Sequence, residues 1–130
     1  MGALTVLKRE KYILGVNFDG GVYLWETPNI IENGLTEHAY LETGYRYIRH
    51  ACMNKDSSTI ALISEIGNQK NSLIILKVQG NEITVVKQLV GGYRMCEFNA
   101  ENKLIAIRRN FYHPETNELL VPNDVIEGAG

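Results

Sequence analysis

No stretch of this chain approaches the roughly 18–20 consecutive apolar residues needed to cross a bilayer as a helix. The expectation is a chain without a membrane span. Lys8 and Arg9 follow the first apolar residues rather than precede them, the reverse of a signal peptide's order. Cysteine is scarce. Cys52 and Cys96 are the only two, and they form neither a C-x-x-C pair nor a disulfide-rich pattern. Both are expected to be free, buried thiols in the cytoplasm or another reducing intracellular compartment. A charge excess is also missing. The formal net charge of −2 leaves no global footprint for nucleic acid or an anionic membrane. His38, His50 and His113 do not fall in a recognised metal-ligand spacing, so no metal is expected. There is no G-x-S-x-G, no P-loop and no G-x-G-x-x-G. The chain is accordingly read as a non-enzyme without a cofactor.

What is present is a series of short apolar runs separated by turn residues. Strands are expected over 12–16, 22–25, 48–53, 59–63, 73–78, 83–89 and 104–107. Each is rich in Val, Ile, Leu or Tyr and has strand length, and helical periodicity never persists. Asp19-Gly20 and Gly80-Asn81 suit tight hairpins, because glycine accepts a positive φ without steric cost. Strands joined this way are antiparallel. The segment 27–35 is read either as one helical turn, capped by Thr27 with Pro28 at its first position, or as a plain loop.

The pattern also repeats. Residues 53–61 align without a gap on 98–106, and Cys52 is read as falling on Cys96 in the same register. Upstream, Gly44-Tyr45-Arg46 matches Gly92-Tyr93-Arg94. A weaker copy places Lys8 and Ile13 opposite Lys55 and Ile60. The period of about 47 residues is in the range of four-stranded blade repeats.

The stretch Gly15 through Glu26, containing Asp19-Gly20-Gly21-Val22-Tyr23-Leu24-Trp25, resembles the pattern of WD-repeat β-propellers. Glu26 stands where that family usually has Asp, and the Gly-His dipeptide is absent. The stretch from Phe98 to Ala106 is similar to the segment between the first two strands of such blades. The resemblance implies an all-β fold of antiparallel four-stranded blades, with a β-sandwich as the alternative. Blades would cover 4–41 and 45–89, and a third, incomplete one would start at Arg94. Its third strand is expected at 119–121, after a polar loop over 110–118. Residues 1–122 would form the repeat domain, and 123–130 a flexible tail.

Fewer than three periods do not close a ring of four to eight blades. The chain is then a piece of a longer protein, an oligomer that completes a ring, or a lender of blades to a partner. The function expected is a protein-interaction or scaffold module, with a purely architectural segment as the alternative. The candidate partner-binding residues are Tyr45, Arg46, Tyr93 and Arg94, with Arg49, Arg108 and Arg109 adding positive charge. Tyr and Arg combine broad faces with directional donors and are favoured at interaction hot spots. The competing reading is structural, with Tyr packed between blades and Arg capping a turn. Trp25, Tyr23, Met53 and Phe98 are assigned to blade packing.

Overall fold

A computed structural model describes residues 4–27, 37–65, 71–108 and 110–127. Every regular element among them is a β-strand, and every paired ladder is antiparallel. The first sheet contains β1 (Leu4–Lys8), β2 (Tyr12–Asn17), β3 (Gly21–Glu26) and β4 (Glu37–Glu42), side by side in chain order. The second repeats that order with β5 (Ile48–Met53), β6 (Thr59–Ser64), β7 (Ser72–Gln79) and β8 (Glu82–Val90). β9 (Tyr93–Phe98) and β10 (Leu104–Arg108) open a third sheet. A small hairpin of β11 (Phe111–Tyr112) and β12 (Leu119–Leu120) then interrupts it, before β13 (Asn123–Ile126) pairs with β10. The helical turn considered for 27–35 falls, beyond Thr27, outside the described residues, as does Arg109.

The turns explain the register. Asn17 Oδ1 accepts from the amides of Asp19 and Gly21, and Gly20 sits at φ 98°. In the β5–β6 turn Asn54 Oδ1 accepts from Thr59 N, and Ser57 has φ 64°. In the β9–β10 turn Asn99 Oδ1 accepts from Glu101 N and Lys103 N, and Asn102 has φ 63°. The repeat seen in the sequence is therefore a repeated turn. It does not continue past the turn, because the first turn is one residue longer. Met53 pairs with Ile60, but Phe98 pairs with Leu104. Ile60 thus corresponds to Leu104 rather than to Ile105. One residue of slip moves a side chain to the opposite face of a strand.

The same ladders correct two other alignments. Lys8, Met53 and Phe98 are the last residues of β1, β5 and β9, and pair with the residues that resume after each turn. Lys8 therefore corresponds to Met53, not to Lys55. Cys52 corresponds to Glu97, and Cys96 to Ala51. The two cysteines are not repeat equivalents. They face each other from adjacent sheets.

Two apolar clusters lie between the sheets. The first joins Leu14, Val16, Val22 and Leu24 of the first sheet to Met53, Ile60, Leu62, Ile74 and Leu76 of the second. The second cluster joins Cys52, Ala61, Ile63, Leu73 and Ile75 of the middle sheet to Tyr93, Cys96, Leu104, Ala106 and Ile126 of the third. Because the middle sheet is covered on both faces, all six residues of β6 are buried. Burying one Leu or Ile side chain is worth about 1.5–3 kcal/mol, so these two layers hold the stack together. Side chains also hydrogen-bond across the seams. His38 Nε2 lies 2.6 Å from Gly80 O, His50 Nε2 2.9 Å from Cys96 O, and Arg9 Nε donates to Met53 O at 3.1 Å.

The third sheet departs from expectation. Its third strand is β13, and Leu119-Leu120 pairs instead with Phe111-Tyr112. Asn123–Ile126 is not a loose tail: Ile126 is buried in the second cluster, and Asp124 bonds Arg108. The physical reason is which residue reaches the core. Leu119 is 53% exposed, whereas Ile126 is 8% exposed.

Candidate functional site

Antiparallel order places alternate connections at opposite ends of the sheets. The β2–β3 turn, the β4–β5 and β8–β9 connections and the β11–β12 hairpin all stand at one end. That end holds most of the candidate residues.

The β4–β5 connection is pinned through its backbone. Thr43 Oγ1 donates to Gly20 O at 2.8 Å and accepts from Tyr45 N. Ser64 Oγ donates to Arg46 O at 2.7 Å, and Glu65 N donates to Tyr47 O at 3.0 Å. Tyr45 is half-buried against the first cluster, and its hydroxyl donates to Gln88 Oε1 at 3.1 Å. The neighbouring side chains, Arg46 and Tyr47, are exposed. Tyr47 has φ 56°, a left-handed conformation that costs a non-glycine residue roughly 1–2 kcal/mol. Its ring meets Phe18 edge-on at 5.3 Å between centroids. Arg49 lies over the Phe18 ring and pairs with Glu65 at 2.9 Å.

The second Gly-Tyr-Arg is built differently. Gly44 and Gly92 both take a positive φ, 79° and 70°. Tyr93 and Arg94 nevertheless lie inside β9 rather than on a loop before it. Tyr93 is buried, which raises the pKa of its hydroxyl; that hydroxyl lies 3.3 Å from Asp124 Oδ2. Arg108 stacks over the Tyr93 ring and donates to the same Asp124 oxygen at 2.7 and 2.9 Å. That hydrogen bond holds the Arg108 guanidinium further toward its charged form. Arg94 is exposed and borders a shallow depression of about 250 Å³ with Met95, Ile107 and Val121.

Sequence reasoning missed Tyr47, Phe18 and the β11–β12 hairpin. The hairpin exposes Phe111 at 49% and Tyr112 at 64%. Its legible signal was the pair of apolar doublets, Phe111-Tyr112 and Leu119-Leu120, on either side of a polar stretch. The opposite end of the sheets gathers the β1–β2, β5–β6 and β9–β10 turns around a cleft of about 650 Å³, bordered by Arg9, Glu10, Lys55, Asp56 and Asn99. Its charges are mixed in sign. No group of His, Cys, Asp and Glu with metal-binding geometry occurs among the described residues.

No family model and no curated protein matches this chain. Among solved structures it is similar to the β-propeller domain of Cps50 (Swd1) from Myceliophteria thermophila. The TM-score is 0.62 at 16% identity, over 92% of this chain and 40% of that one. The fold is that of β-propeller blades. The chain spans less than half of that propeller chain. Blade one is the first sheet, blade two the second, and blade three the third, with three strands in place of four. β1, β5 and β9 are the corresponding first strands, and the stack is an incomplete ring.

In blade terms, Met53 lies in the seam between blades one and two, and Phe98 packs against the seam between two and three. Tyr23 and Trp25 lie on the face of blade one turned away from blade two. Their rings stack at 5.6 Å between centroids, and Tyr40 tilts against Tyr23 at 4.7 Å. The Tyr40 hydroxyl donates to Glu42, which pushes its pKa to about 12.

Proposed function

We propose that this chain is a protein-interaction module whose contact face is the end carrying Arg46, Tyr47, Arg94 and the β11–β12 hairpin. One observation supports it above the others: exposed Arg and aromatic side chains stand on a backbone fixed by Thr43, Ser64 and Glu65. Such a surface loses little conformational freedom on binding. Tyr45, Tyr93 and Arg108 act behind it as positioning groups, since each is already bonded within the fold.

The test begins with a photo-crosslinking residue at position 47 to capture the contacting protein in cells. The affinity of that purified partner is then measured for the wild type and for Arg46→Ala/Arg94→Ala. The expected result is at least tenfold weaker binding with an unchanged melting temperature. Equal affinity moves the contact elsewhere.

A second reading is architectural: the chain completes a propeller through its two end faces. Its support is Val6 and Tyr40 on the outer face of blade one, 55% and 46% exposed, and Met95 and Val125 on that of blade three, 47% and 48% exposed. Apolar side chains on sheet faces this open are ordinarily covered.

A further inference from the structure

We propose that two copies of this chain close one six-bladed ring, with blade one of each copy packed on blade three of the other. The inference rests on the architectural reading and names the occupant of the end faces.

Each blade has two unlike faces. Inside the chain, the face carrying Leu7 in blade one, or Cys52 in blade two, always meets the face carrying Met53 in blade two, or Phe98 in blade three. Among the described residues, two faces are left without a neighbour. Blade three presents Met95, Ile105, Ile107 and Val125, paired across β9, β10 and β13. Blade one presents Val6, Ile13, Tyr23, Trp25 and Tyr40, paired across β1 to β4. They are the two face types that meet at both internal seams. A second copy carries the missing half of each, so the stack continues the interfaces already formed.

Charge supports the same pairing. On the free face of blade three the position of Leu7 and Cys52 is taken by Glu97. On the free face of blade one the position of Met53 and Phe98 is taken by Lys8. Both seam positions are apolar between blades of the chain and carry opposite charges only on the free faces. Neither Lys8 nor Glu97 enters an ion pair among the described residues. Head-to-tail docking sets Glu97 of one copy beside Lys8 of the other. Three blades from each copy of residues 1–130 give six, within the four to eight that close a ring. A two-fold axis through the channel makes both junctions identical, so the assembly ends at two copies rather than growing.

The internal seam supplies the test. Cys52 and Cys96 Sγ atoms lie 2.8 Å apart, and their equivalents at the proposed junction are Glu97 and Val6. In a Cys52→Ser/Cys96→Ser background, Val6→Cys/Glu97→Cys is oxidised with a low-molecular-weight disulfide. Exchange forms the protein disulfide and reduces the reagent to two thiols. The expected product is one covalent species of twice the chain mass with no free thiol; a ladder of higher multiples, or monomer, overturns the closed pair. On the chain without these changes, light scattering is expected to give the two-copy mass at micromolar concentration. Lys8→Glu or Glu97→Lys alone raises the dissociation constant at least tenfold, and the double swap returns it to within threefold. Failure of the swap to rescue also overturns the pairing. If the chain is monomeric, an apolar-surface dye separates the two claims. Dye binding lost in Val6→Asp/Met95→Asp leaves the architectural reading standing without the second copy. No dye binding removes both.

Discussion

At the scale of single residues, the chain shows how one glycine couples two connections, the β2–β3 turn and the β4–β5 connection. Gly20 O accepts from both Thr43 N and Thr43 Oγ1. A side chain at position 20 would fall on Tyr45 O, and the residue already sits at φ 98°. Gly20→Ala therefore faces a backbone obstruction and a disfavoured φ at once. The expected loss is about 2–4 kcal/mol, read as a lower denaturant midpoint with an unchanged slope. The sequence supported glycine's role in that hairpin, but not its contact with a connection more than twenty residues away. Asp19-Gly20 is a local signal, whereas Tyr45 O arrives by tertiary packing. Likewise, Tyr45 and Tyr93 look alike as letters. One extends from a connection to Gln88 and the other is buried under Arg108, because a loop precedes β5 and a tight Gly91-Gly92 turn precedes β9.

At the scale of strands, most of blades one and two was legible because their runs alternate or are wholly apolar between clear turns. β6 reads as a continuous apolar run because it is covered on both faces. Blade three was less legible. β13, Asn-Asp-Val-Ile, has one residue in the core, and its polar neighbours gave it the composition of a tail. Its evidence is tertiary: the ladder to β10 and the Asp124–Arg108 bond. The consequence is measurable. Ile126→Ala should cost about 2–4 kcal/mol, as expected for emptying a core site. Leu119→Ala should stay within about 0.5 kcal/mol, as for a surface change. Chemical denaturation of the two variants decides which segment is the third strand. The ion pair itself is half-exposed, so solvent screens it and the core residue decides the strand.

At the scale of the whole molecule, stacking is what turns hairpins into a fold. A lone four-stranded sheet leaves two faces wet; three in series bury both faces of the middle one and one face of each outer one. This also separates the structure from a β-sandwich, in which two sheets share a single core. The repeat announced the blades, and a local turn motif carried it. The facing of residues across a seam was not legible, since it depends on a one-residue difference in turn length that the gapless alignment conceals. Cys52 and Cys96 carry that lesson. Read as equivalents, they would point the same way from successive blades. In the fold they oppose each other in the seam, where burial pushes the Cys96 thiol well above its usual pKa.

That contact gives the most direct test of stacked blades. The chain is refolded in a buffer of reduced and oxidised glutathione, blocked with an alkylating agent, digested without reduction and mapped by mass spectrometry. Stacked blades predict a Cys52–Cys96 disulfide within single chains, formed by exchange with the glutathione disulfide as the seam closes. Two separately alkylated thiols under the same conditions would contradict the stacking of blade two on blade three.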